Sequence, residues 1–218
     1  VTGHTARYAG CSFPWVGGAT ALAVGDHDEI IRPDGARPGD DLMLTTGPAV
    51  EATALFASLF PEQIDYDPAV LDRVAARLDD LDAVRDARTA VEAGAVTAMH
   101  DVTEGGLLGA LHEMAAGAGV EFAVDRASVP ADPDIETLCE VLGMDRWRAT
   151  SSGSLLVAVD PDSTADVIEA LRARGTTAAV IGRADAGSGV VLDGESTQPP
   201  DGDSSWPVYE ALLDGATN

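Results

Sequence analysis

The sequence predicts an α/β or α+β layer fold. From residue 41 onward, short apolar runs alternate with stretches of helical periodicity, and elements of that kind hide their apolar faces by stacking in layers. Glycines, prolines and aspartates fall between the periodic stretches, where turns and caps use them. A chain of 218 residues can bury about 70% of its unfolded surface, so a core of ordinary size needs no staples.

The elements follow in order. Residues 16–24 (VGGATALAV) read as a buried strand, and 26–40, rich in Pro, Gly and Asp, as a connection between two units. Residues 41–46 are a second short strand. Residues 50–60 have helical spacing, with Val50, Leu55, Phe56 and Leu59 on overlapping faces, and Pro61 ends them. Two more helices span 68–78, opened by a first-turn proline, and 82–93, stopped by Gly94. Residues 96–100 form a strand. A glycine turn then feeds a helix over 105–116, whose Leu107, Leu108, Leu111, Met114 and Ala115 make one apolar stripe for the core. Residues 120–124 alternate as a strand, and 134–142 form a capped helix ended by Gly143. Residues 154–159 are a strand, 163–174 a helix closed by Gly175, and 178–184 a further strand with 189–192 as its hairpin partner. Residues 195–205 read as a polar linker and 206–213 as a short terminal helix.

Charge narrows the function. The net charge is −24, and all 13 basic residues are arginine. An acidic surface without lysine resembles that of proteins from salt-in halophiles; it repels itself at low salt and needs screening. A disordered acidic chain is the alternative, and the regular apolar periodicity opposes it. With no basic stripe, nucleic acid is not an expected partner. Without lysine there is no Walker-A lysine, Schiff base or serine–lysine dyad. Cys11 and Cys139 are isolated and read as reduced, buried, small apolar residues rather than as a zinc or disulfide framework. No stretch approaches the ~18 apolar residues of a membrane span and nothing at Val1 reads as a signal peptide, so a soluble, cytoplasmic protein is expected.

The richest chemistry lies in residues 98–119, AMHDVTEGGLLGALHEMAAGAG. A strand end, an acidic turn, a glycine pair and a helix start gather backbone N–H groups, the Thr103 hydroxyl, Asp101 and Glu104 around one helix N-terminus. The first N–H groups of a helix lack intrahelical partners and the dipole is positive there, which suits phosphate. Gly105 and Gly106 remove the Cβ that would keep a ligand from the backbone. The two acids suit a magnesium ion between them and phosphate oxygens. The plainer alternative is an N-cap, with Thr103 or Asp101 closing the helix.

Three stretches stand out: VTGHT with the following VGGATALAVG, then HDVTEGGLLGALHEMA at 100–115, then ATSSGSLLVAVDPDSTADVIEALRARGTTAAVIGRA at 149–184. Together they resemble the aminoimidazole-ribotide (AIR) synthase-related, PurM-like superfamily, in its C-terminal domain and nearest its hydrogenase expression/formation (HypE-like) branch. The resemblance implies a mixed sheet flanked by helices. It implies that residues 1–25 are the tail of an N-terminal ATP-binding domain, 26–40 the connection, 41–194 the C-terminal domain and 195–218 a linker with a short helix. It also implies Mg-ATP as cofactor of the complete protein, phosphorylation of an amide-type or similar oxygen on a small-molecule substrate, and a homodimer that needs the N-terminal half as a domain or subunit. In that frame Asp101 and His4 are the candidate catalytic residues, and Asp101 also the metal contact. Thr103, Glu104, Gly105, Gly106, Ser151, Ser152 and Gly153 line the phosphate and substrate side. The family's hydrogenase-maturation enzyme carries a C-terminal cysteine, whereas this sequence closes on Gly215–Ala216–Thr217–Asn218.

Other constellations are weaker. His112–Glu113 opens like a zinc-protease HExxH, but residue 116 is alanine. His4, His27, His100 and His112 show no ligand spacing. Ser151, Ser152 and Ser154 do not form a G-x-S-x-G elbow. Trp147, beside Arg146 and Arg148, either stacks on a base or closes the edge of the core. Asp79, Asp80 and Asp82 read as a solvated face.

Overall fold

Leu42, Met43 and Leu44 set the layers. They are successive residues of β1 (Asp41–Thr45), and neighbours along a strand point to opposite faces, so Leu42 and Leu44 enter one core and Met43 another. A computed structural model describes residues 20, 22, 24–26 and 30–216, and the description that follows concerns the compact unit beginning at Ile31. After β1 come α1 (Val50–Leu59), α2 (Pro68–Ala75), α3 (Ala83–Ala93), β2 (Val96–Asp101), α4 (Gly106–Ala118) and β3 (Glu121–Val124). Then follow α5 (Pro133–Leu142), β4 (Leu155–Val159), α6 (Thr164–Ala173), β5 (Ala178–Asp185), β6 (Gly189–Leu192), β7 (Glu195–Ser196) and α7 (Ser205–Ala216).

The strands form one mixed sheet in the order β2-β4-β1-β5-β3-β6-β7. Neighbours pair antiparallel except β3 and β6, which run parallel. Helix α4 covers one face through Leu107, Leu111 and Met114. Helices α3 and α6 cover the other through Ala90, Val167 and Leu171. Strand β4 is buried along its whole length, which is why LLVAV is uniformly apolar instead of alternating. Helices α1, α2, α5 and α7 bury a third cluster around Phe56, Leu71, Ile135 and Leu138. Tyr209 of α7 stacks on Phe56 at 6.3 Å between ring centroids and meets Phe60 edge-on at 5.9 Å.

This is the α/β fold that the alternation of elements predicts, with four departures. Residues 189–192 do form a strand, but not a hairpin with β5. Both sides of β5 are taken by β1 and β3, so β6 passes beyond and pairs with β3. The helix expected over 68–78 ends at Ala75 and tightens into a 3-10 turn at 76–80. The terminal helix is longer than expected, reaching Ala216. Of the strand expected at 16–24, Thr20, Leu22 and Val24 are described; none lies in a strand, and Leu22 and Val24 are 91% and 96% exposed.

Trp147 lies at the edge of the α4 core, nearly buried, with the Arg126 guanidinium 4.9 Å from its ring centroid. Cys139 is buried in α5, and burial pushes its thiol up to about 12, so it is an inert apolar group. Cys11 lies outside the described residues. Among the described residues no helix is long and apolar enough to cross a membrane.

Candidate functional site at the end of the sheet

Because β1, β4 and β2 alternate in direction, the turn after β1, the turn before β4 and the turn after β2 meet at one end of the sheet. Main-chain bonds lace them together. The Val102 N–H donates to Ser154 O at 3.0 Å, and the Ser151 N–H donates back to Val102 O at 3.0 Å. The hydroxyls of Ser151 and Ser154 donate to Gly47 O at 3.0 and 2.7 Å. The N–H of Val50, the first residue of α1, donates to Ser151 Oγ at 3.2 Å. The Ser152 N–H donates to Glu51 Oε2 at 2.7 Å.

The two turns expected from sequence to line the site, 101–106 and 151–153, are therefore brought into contact, but their residues differ in what they face. Ser151 is fully buried and its hydroxyl is spent on the β1–α1 turn. Gly153 has φ +97°, and a Cβ there would fall 2.8 Å from the Leu81 backbone, so this glycine serves packing. Asp101 is exposed at the tip of β2, with His100 Nδ1 3.3 Å from its Oδ1 and His100 Nε2 3.1 Å from Glu113 Oε2. Glu104 is exposed and Thr103 half-buried. His4 lies outside the described residues.

The start of α4 departs from the N-cap reading of the sequence. Its N-cap is Gly105 in the left-handed region, with no side-chain cap from Thr103 or Asp101. Thr103 contributes its carbonyl instead, accepting from the Gly106 N–H at 2.9 Å. What approaches the two glycines is the chain itself. A Cβ on Gly106 would lie 2.7 Å from both Trp147 O and Ala149 O, and one on Gly105 would lie 3.3 Å from the Pro200 ring. The Leu108 N–H donates to Trp147 O at 2.9 Å.

An anion does sit on this helix start, and it is Asp203. Its Oδ2 accepts from the Gly105 N–H at 2.9 Å while its Oδ1 accepts from the Ser205 N–H at 2.8 Å, so one carboxylate caps both α4 and α7. Residues 195–205 are thus a strap rather than a linker. Arg148 holds it through Asp201 and Gly202 O, and the Ser204 N–H donates to Arg148 O. An open cavity of about 340 Å³ remains between strap and helix, beside Glu104, Gly105, His112 and Asp203. Sequence reasoning passed over Asp203. Its place two residues before a helix start is an N-cap signal, but only for α7.

His112 forms the floor of this cavity. The Thr197 hydroxyl donates to Val190 O at 3.1 Å, so its single proton is used and His112 Nε2, 3.0 Å away, must be the donor to it. Burial holds the imidazole below its ordinary pKa of 6.5. With the folded value depressed, the unfolded chain binds more protons between the two values. The stabilisation is complete above about 6.5 and is lost as pH falls through the window below it. Between pH 7.5 and 5.5 the wild-type melting temperature should fall relative to that of His112→Gln; parallel curves would contradict this.

Residues 37–195 match the family described as AIR synthase related protein, C-terminal domain. The chain belongs to that family. Carbamoyl dehydratase HypE of Rhizobium leguminosarum bv. viciae is 29% identical over 154 residues, 70% of this chain and 42% of that protein. Thiamine-monophosphate kinase of Halobacterium salinarum is 34% identical over 185 residues, 82% of this chain and 57% of that protein. The crystal structure of hydrogenase maturation protein HypE in complex with ATP has the same fold, with a TM-score of 0.60 at 19% identity over 79% of this chain and 53% of that one. This AIR synthase-related chain therefore spans about half the length of the relatives it matches.

Proposed function

We propose that this AIR synthase-related domain is the substrate-side half of an ATP-dependent enzyme. It phosphorylates an amide-type or similar oxygen of a small molecule, with the nucleotide held jointly with an N-terminal domain or subunit in a cytoplasmic homodimer. The observation that carries the reading is the laced end of the sheet, where the Asp101–Gly106 and Ser151–Gly153 turns touch. Phosphoryl transfer asks the protein for positioning and charge stabilisation more than for covalent chemistry, so the absence of lysine is no obstacle.

In this reading Asp101, exposed at the mouth of the turn, is the catalytic acid that touches metal or substrate; His4 is the second catalytic candidate. Thr103, Glu104 and Gly105 border the phosphate and Ser152 borders the substrate, while Gly106 and Gly153 let the backbone of neighbouring segments pack against the two turns. Ser151 braces them from below. Magnesium uses one or two carboxylates plus phosphate oxygens. Among the described residues no three acidic, histidine or cysteine side chains converge as a ligand set. A single contact from Asp101 fits that habit, and the ion would supply charge neutralisation on the phosphoryl group.

A second reading is a non-catalytic ligand-binding or subunit-interaction domain that keeps the fold. The seating of Asp203 on the Gly105 amide favours it, since the position a phosphate would use is already filled. Calorimetric titration of MgATP in molar KCl separates the two, with this chain alone and then with the N-terminal half of a full-length homologue added. Binding on reconstitution, weakened about tenfold or more by Asp101→Asn, is the expected result. Absence of any nucleotide effect in either sample, with a stable protein complex still formed, selects the second reading.

A further inference from the structure

The cavity beneath the strap, about 340 Å³, sits at the small end of the roughly 300–1,000 Å³ that small-molecule pockets enclose. Three carboxylates border it, those of Glu104, Glu113 and Asp203. In a chain of net charge −24, acid alone marks nothing. What sets this wall apart is that its charge stands without a guanidinium. Among the described residues no arginine borders the cavity. Glu104 is exposed and, among the described residues, makes no ion pair. Asp203 receives only the neutral donors of Gly105 and Ser205, and Glu113 meets His100 Nε2 at 3.1 Å.

The rest of the wall is neutral. His112 is nine-tenths buried. With Nε2 donating to Thr197 and burial keeping the ring neutral, its Nδ1 carries no proton and can only accept. Among the described residues no group donates to Nδ1. The one sealed side-chain atom left without a partner among them is Asp86 Oδ2, so Nδ1 is not sealed. The open space that His112 borders is this cavity. Trp206, 45% exposed, adds an aromatic surface, its ring held edge-on against Tyr209 at 6.1 Å. Pro199 and Pro200 add apolar carbon.

Carboxylates and a bare imidazole nitrogen call for N–H donors, and tryptophan is the aromatic side chain that attracts a cation best. The donor set does not suit a metal ion, since among the described residues no three ligating side chains converge. A quaternary ammonium has no N–H to give. We propose that this cavity binds a small protonated primary amine with a flat apolar body. Its ammonium group is directed to Glu104, Glu113 and His112 Nδ1, and its body lies against Trp206. The site adjoins the turn assigned to phosphate above, and it stands whether or not that turn takes a nucleotide.

The test is calorimetric titration of the full chain with phenethylamine and with 2-phenylethanol, its uncharged counterpart. Molar KCl screens general attraction of the amine to the acidic surface. The variants are Glu104→Gln, Trp206→Ala and, as a control for the loss of one charge, Glu169→Gln, exposed on α6. Glu104 has no ion pair to lose, so Glu104→Gln should melt with the wild type. Expected is one saturable site per chain for phenethylamine. The dissociation constant should be about tenfold or more higher for 2-phenylethanol, and for phenethylamine in Glu104→Gln and in Trp206→Ala. Glu169→Gln should leave it unchanged. No saturable phenethylamine binding, equal binding of the alcohol, or unchanged binding in Glu104→Gln or Trp206→Ala overturns the proposal. Equal weakening by Glu169→Gln also overturns it and assigns the amine to the acidic surface as a whole.

Discussion

Gly106→Ala should lower the melting temperature by roughly 6–20 °C, a loss of roughly 3–5 kcal/mol at 2–4 °C per kcal/mol for a chain of this size. Two independent causes add. Gly106 has φ +62°, a left-handed conformation that costs an L-residue about 1–2 kcal/mol. The new Cβ would also lie 2.7 Å from two carbonyl oxygens and 2.8 Å from the carbonyl carbon of Arg148, all of them backbone. No rotamer change relieves a backbone clash, so α4 must lift away from residues 147–149. That breaks the Leu108 N–H bond to Trp147 O and displaces Leu107 and Leu111, both fully buried. Gly105→Ala is the control. It shares the positive φ, but its nearest obstacle is a Pro200 side-chain atom at 3.3 Å, so it should cost about 1–2 kcal/mol. Thermal melts of the two variants by circular dichroism decide the matter, and equal losses would contradict the packing argument.

Salt should change stability by a comparable amount. With 37 acidic residues against 13 arginines, the folded chain holds a net charge of −24 in a compact volume. Unfolding separates those charges, so repulsion favours the unfolded state wherever it is not screened. The Debye length falls from about 10 Å at 0.1 M to about 3 Å at 1 M, from longer than a typical spacing between surface charges to shorter. The melting temperature should therefore climb by more than about 10 °C between 0.1 and 2 M KCl, most steeply below 1 M. Sodium chloride should act alike if screening is the cause. A melting temperature flat across this range would remove the halophile-like reading of the composition. The salt-dependent gain also dictates that the binding experiments be run in molar KCl.

How far the sequence alone reached depends on which forces a segment answers to. The α4 stripe of Leu107, Leu111, Met114 and Ala115 was readable because a helix must turn one face to the core whatever that core is. The run LLVAV was readable as a strand for a similar reason, since five apolar residues in a row need cover on both sides. Helix ends at Asp67, Asp82 and Gly143 follow from local capping alone. At the candidate site, the TEGG turn and the TSSG turn were both visible as special backbone. Family likeness puts both turns along one cleft, and their direct contact through Val102, Ser151 and Ser154 follows only from the strand pairing.

Local pattern suffices for whatever repeats at short range: the order of elements, the faces that turn inward, the caps, and the burden of acidic charge. Who meets whom across long separations comes from the folded arrangement. Asp203 reaches Gly105, Gly106 yields to residues 147–149, and β6 bypasses β5 to lie beside β3. The physical reason is that a hydrogen-bond donor or a missing Cβ specifies only that something must come close. Which partner arrives, ligand or chain, is set by how the whole sheet closes around it.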